Sequence, residues 1–180
     1  MNCLTDFQNI LKNNGIAANP PVDKYQITAF ESQNNVKIPH DFGLYLTTMN
    51  GFREGEMWGL SNLWPLHRII PLTRLASLKE ALSTNIKDAL EKSCLYDSSA
   101  SAENKIVNPS NNWSLPNADS FFIFGDYNVN SCYWAIKLSN SRGGNNIICI
   151  YDWGNTYHTV AGSFSDFIGK IVTEGGESLI

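Results

Sequence analysis

The chain is short of positive charge. Its 13 Lys and Arg stand against 17 Asp and Glu, which leaves a formal charge of -4 and a sequence pI near 5.3. That excludes an unaided phosphate-backbone binder, whose affinity comes from a basic stripe releasing counterions. No direct nucleic-acid contact is expected, and an acidic surface suits a basic partner better. Long apolar runs are also missing, so nothing here spans a bilayer. The opening "MNCLTDFQNILKNNG" carries Asp6 early, with neither a basic start nor a long apolar core, and does not read as a signal peptide.

Cysteine is sparse and badly spaced for metal. Cys3, Cys94, Cys132 and Cys149 form no C-x-x-C pair, and no histidine is placed to complete a zinc set. They read as reduced thiols of a cytoplasmic protein, with Cys132 and Cys149 as small buried hydrophobes in strands. Catalytic signatures are lacking too: there is no Gly-x-Ser-x-Gly elbow, no His-Glu-x-x-His, no Walker loop and no dinucleotide glycine fingerprint. His40, His67 and His158 are scattered, and "SRGGNN" joins two strands with no helix behind it to hold a phosphate. Neither an enzyme nor a cofactor nor a metal is expected.

What is present is the composition of a folded domain: 180 residues, 43% apolar and 12% aromatic, enough for one core. Leu4, Phe7, Ile10 and Leu11 predict a first helix over about residues 2 to 14, closed by Gly15. Asp23 and Gln26 make a capping-box pattern for a second, running through Ile27 and Phe30 towards Asn34. Pro39 and Asp41 open a third, with Phe42, Tyr45, Leu46 and Met49 on one face and Asn50-Gly51 as its left-handed stop. "MWGLSNLWPLHRIIPL" suits one or two short strands, and Leu72, Leu75, Leu78 and Leu82 restore helical spacing. A Ser/Asn-rich loop is expected over about residues 97 to 120, pinned by Trp113.

The rear half reads as sheet. "SFFIFGDY" and "SCYWAIKL" predict a hairpin, "NNIICIYDW" a further strand and "YHTVAG" a shorter one, before a final helix capped by Ser163 and Asp166. Helices, then strands, then a helix with hairpin connections predict an α+β fold with a mainly antiparallel sheet, as a single domain over residues 1–180.

Taken in order, these residues resemble the SUKH (SMI1/KNR4-like) superfamily. "ITAFESQNNVKIPHDFGLYLTTMNGF" is similar to its front signature, through Ile27, Phe30, Glu31, Ile38, Pro39, Asp41, Leu46, Asn50 and Gly51. "FFIFGDYNVNSCYWAIKL", with Gly125-Asp126, looks like its strand, Gly-Asp turn and strand, and "VAGSFSDFIGKIV" like its closing helix. The likeness covers about residues 24–173, although the Ser/Asn-rich segment from Asp97 to Asn117 is longer than a compact member would carry. It implies a curved antiparallel sheet packed against several helices. It also implies a non-catalytic protein-binding module, either an immunity protein that neutralises a polymorphic toxin, often a nuclease, or a regulator of the cell-wall glucan synthesis type. The signature residues Phe30, Glu31, Pro39, Asp41, Asn50, Gly51 and Gly125 read as scaffolding, because periodicity and turn chemistry account for them.

The candidate partner surface is a set of acids beside aromatics: Glu54 and Glu56 near Trp58, Asp126 in a strand turn with Tyr127, and Asp152 with Trp153. Aromatic anchors inside a charged rim are what protein-binding surfaces use. If the connecting loops gather at one edge of the sheet, these residues form an acidic, aromatic-lined groove for the basic cleft of a toxin domain.

Overall fold

The computed structural model describes residues 3–53, 61–74, 118–127, 132–140, 145–151, 156–175 and 179. Each helix end follows its local chemistry. Helix α1 (Cys3–Asn13) ends as its glycine predicts: Gly15 adopts φ +70° and the Ile16 amide donates back to the Leu11 carbonyl at 2.9 Å. Helix α2 (Lys24–Asn34) has both halves of its capping box, the Gln26 amide donating to the Asp23 carboxylate and the Asp23 amide to Gln26 Oε1. Helix α3 (His40–Thr48) starts after Pro39, whose ring supplies a φ of -57°. The final helix, α4 (Phe164–Glu174), is capped by the Ser163 hydroxyl accepting the Asp166 amide.

One expectation is corrected here. The stop of α3 is not the Asn50-Gly51 pair, because the chain leaves the helix in an extended conformation at Met49. Gly51 does take φ +71°, but its use is a close approach described below. The helical spacing from Leu72 begins as a 3₁₀ turn, Leu72–Arg74, and the rest of that pattern lies outside the described residues. Trp113 and most of the expected Ser/Asn-rich loop also lie outside them, and the last residues of that stretch, Ala118–Ser120, form a 3₁₀ turn.

Six strands form one antiparallel sheet in the order β1-β3-β4-β5-β6. They are β1 (Ser61–Leu63), β2 (Ile70–Pro71), β3 (Phe121–Tyr127), β4 (Cys132–Lys137), β5 (Ile147–Tyr151) and β6 (Thr156–Ala161). Both β1 and β2 pair with the same side of β3, separated by the Leu66–Arg68 3₁₀ turn. Pro71 is tolerated because this is a sheet edge. Register shifts at Ile123/Gly125 and Ile147/Ile148 bend the sheet.

Both faces of the central strands β3, β4 and β5 are buried. One carries Phe122, Phe124, Trp134, Ile136, Ile147 and Cys149 against the helices. Six rings, Phe42, Tyr45, Phe124, Trp134, Phe164 and Phe167, knit α3 and α4 to it, with Phe42 and Phe164 4.7 Å apart and Trp134 and Phe167 5.2 Å apart. Each such ring contributes about 1.5–3 kcal/mol by burial. The opposite face carries Phe121, Ile123, Tyr133, Ala135, Ile148 and Ile150, joined by Trp64 and Leu72. Burial on two sides explains why "FFIF" and "IICI" do not alternate with polar residues. No helix of the described residues is long and apolar enough to cross a membrane.

Candidate functional site

Strand register gathers one end of the sheet. Ser61 pairs with Tyr127, Tyr127 with Cys132, Cys132 with Tyr151 and Tyr151 with Thr156, so these five residues form a single row. Three stretches are attached to that row: residues 54–60 before β1, 128–131 between β3 and β4, and 152–155 between β5 and β6. Glu54, Glu56, Trp58, Asp152 and Trp153 belong to these stretches and lie outside the described residues.

Asp126 and Tyr127 are described, and their placement differs from expectation. Asp126 is not in a turn but inside β3, opposite Tyr133 on one side and Asn62 on the other, and only 4% exposed. Its Oδ2 accepts the Trp64 indole N–H and, at 3.1 Å, the Asn62 amide. A buried carboxylate is costly without donors, and these two supply them. Tyr127 is 8% exposed and packs on Trp134. The physical reason is the bulge at Gly125, which lets β1 approach: a β-carbon there would meet the Asn62 carbonyl oxygen at 2.8 Å and the Trp134 ring at 3.1 Å.

Around Asp126 the environment is tightly ordered. Tyr133 meets Trp64 edge-on at 6.2 Å, and burial, then the Asp126 charge, then Cys132 push its hydroxyl up to about 12. On the outer side of the indole lies the exposed Arg68, its guanidinium carbon 4.9 Å from the ring centroid. Sequence reasoning passed over Trp64 and Arg68, having read their segment as strand. The available signal was Pro65 followed by a four-residue Trp-to-Arg spacing, since a proline-initiated turn brings those two side chains together.

The other signature residues hold segments together. Glu31 Oε1 accepts the Ile38 amide at 2.8 Å while its Oε2 pairs with Lys37, bracing the α2–α3 turn just before Pro39. Phe30 rests edge-on against Phe122 at 5.8 Å. Asn50 Oδ1 accepts the Leu66 amide at 2.7 Å, and a β-carbon on Gly51 would lie 2.5 Å from the Trp64 carbonyl carbon. Asp41 bridges two helix starts, accepting the Phe42 and Ser165 amides at 2.9 and 2.8 Å. First turns of α1, α3 and α4 line a cavity of about 200 Å³ there, and Asp41 supplies the negative charge those helix starts favour.

The remaining titratable groups are dispersed. Among the described residues no group of three or more His, Cys, Asp or Glu could hold a metal ion. His40 starts α3, His67 lies in the 3₁₀ turn rather than the expected strand, and His158 lies in β6. Cys132 and Cys149 are buried in β4 and β5 as expected, where their mutual hydrogen bond, followed by burial, drives the Cys132 thiol far above its ordinary value. That is the opposite of what activates a nucleophilic cysteine.

Among curated proteins, none matches this chain. A family model does, over residues 21–170, from just before the capping box of α2 into α4, and it takes in every signature residue described above. The chain belongs to the SMI1 / KNR4 family (SUKH-1).

Proposed function

We propose that this chain is a non-catalytic protein-binding module of the immunity type, which neutralises a polymorphic toxin by covering its working cleft. The observation that carries the reading is the five-residue row at one end of the sheet, to which both stretches bearing Glu54, Glu56, Trp58, Asp152 and Trp153 are attached. Asp126 and Tyr127 serve that surface from beneath, fixing the strand ends, while Glu54, Glu56, Trp58, Asp152 and Trp153 are the residues proposed to meet the partner. A net charge of -4 favours a basic toxin domain and speeds its capture, and the aromatics lengthen the complex's lifetime. The cytoplasm, which keeps the thiols reduced, is the compartment this role requires.

Affinity capture with the tagged chain from its own cells, followed by growth rescue, tests the proposal. Recovery of one secreted polymorphic protein whose carboxy-terminal domain kills alone, and is harmless beside this chain, supports immunity. Recovery of cell-envelope or signalling proteins without rescue supports instead a regulatory scaffold of the glucan-synthesis type.

A further inference from the structure

We propose that Arg68 is a preformed docking point for a carboxylate on the partner protein. The inference rests on the protein-binding reading and adds to it a defined contact of opposite charge.

Three observations carry it. Arg68 is exposed, yet its guanidinium is seated 4.9 Å from the centre of the Trp64 ring. That ring is itself held: Trp64 is 5% exposed, its N–H donates to buried Asp126, and Tyr133 abuts it edge-on. Finally, no carboxylate among the described residues pairs with Arg68. The ion pairs there are Lys37 with Glu31 and Lys170 with Asp166, and Asp126 reaches the indole N–H rather than the guanidinium.

An arginine normally loses side-chain rotamer freedom when it docks. Seating on a fixed indole removes part of that loss before the partner arrives, which is how preorganisation raises affinity. Arg and Trp are also the residue types that dominate interface energetics.

Position and chemistry name the counterpart. Asp126, under the indole, is the immediate neighbour of Tyr127 in the end row, so Arg68 flanks the proposed docking surface. Residues 61–74 contain Arg68 and Arg74 and no Asp or Glu, a positive stretch in a chain of net charge -4. One planar fork matches a carboxylate bidentately, whereas a nucleic-acid backbone demands a run of cations. In a pairing otherwise steered by acid on this side and base on the other, one reversed pair fixes the register of the complex.

The test uses the full ¹⁵N-labelled chain and reads the Arg68 Nε–H and Trp64 indole N–H resonances. The probe is a blocked glutamate-rich peptide, with a lysine-rich peptide, inorganic phosphate and a DNA duplex as comparisons. The glutamate peptide is expected to move both resonances with a dissociation constant on the order of 1 mM, the scale of an isolated contact. Arg68→Ala removes the Trp64 shift and Arg68→Lys weakens it several-fold, both variants staying folded because the side chain is exposed. No movement in the wild type, an undiminished Trp64 shift in Arg68→Ala, or tighter response to phosphate or DNA overturns the proposal. The titration needs no natural partner, so it stands or falls apart from the capture experiment. In a captured complex, Arg68→Glu must weaken binding at least roughly tenfold, the loss expected of an interface anchor, and unchanged affinity overturns the assignment.

Discussion

Asp41 and Ser165 are 124 positions apart, and the carboxylate of the first accepts the backbone amide of the second at 2.8 Å. One side chain thereby serves the first turn of its own helix and that of α4. Asp41→Ala is expected to destabilise the protein by about 1–2 kcal/mol, the range for losing a helix-start acceptor. Asp41→Asn, which keeps an acceptor oxygen but not the charge, costs less. Urea unfolding of the three proteins checks this, with a lower midpoint and an unchanged slope as the expected result.

Gly51 and Gly15 share a left-handed backbone and differ in surroundings. A β-carbon on Gly15 meets nothing within 4 Å, whereas one on Gly51 overlaps the backbone of Leu63 and Trp64. Gly15→Ala should therefore cost about 1 kcal/mol from conformation alone. Gly51→Ala adds a backbone clash and should exceed roughly twice that, because β1 must move away from α3. Equal losses in thermal unfolding would show that the close approach contributes nothing.

Alkaline stability depends on Tyr133, whose hydroxyl titrates at about 12 in the folded chain against 10.0 for an ordinary tyrosine. The folded state favours the protonated form, so its contribution is complete below pH 10 and is lost as pH climbs towards 12. In that window the unfolded chain releases its proton first and stability falls with rising pH. Tyr133→Phe should lessen this decline, leaving the part due to the buried Tyr45 hydroxyl, without altering the response near neutrality, as followed by denaturant midpoints across the alkaline range.

Thiol reactivity separates the cysteines by depth. Cys3 is partly exposed, while Cys132 and Cys149 are buried and the ionisation of Cys132 is suppressed. In a Cys94→Ser background, which removes the cysteine outside the described residues, Ellman's reagent should modify one thiol promptly and two only upon unfolding. Prompt modification of all three would contradict the packing of β4 against β5.

Local chemistry made much of the fold legible in the sequence. Gly15, the Asp23–Gln26 box, the Ser163 cap and the β3–β4 hairpin follow from neighbours within a few positions, and each stands where periodicity predicted. The uninterrupted "FFIF" was the available sign of a second buried face, one that a picture of helices on a sheet had not required. Asp126 misled because Asp beside Gly is turn chemistry locally, and only the pairing of β1 with β3 turns it inward. Asn50-Gly51 misled likewise: a helix-stop pair by composition, it is used to admit the chain near Trp64. The end row, from which the candidate surface hangs, depends on register among five strands, and no window of neighbouring residues contains that information.

Central strands closed on both faces leave the proposed binding module little broad platform to display. Recognition is pushed to rims, strand ends and the backs of helices, where exchanging a side chain disturbs few neighbours. Interior and contact surface then answer to separate pressures: the interior tolerates little, while the rim can be rewritten residue by residue. A library randomised at surface positions of this chain should retain cooperative melting in most of its members, and one randomised at Phe122, Trp134 or Phe167 should lose it in most. On the protein-binding reading proposed above, such a molecule serves as a stable holder for interchangeable specificities.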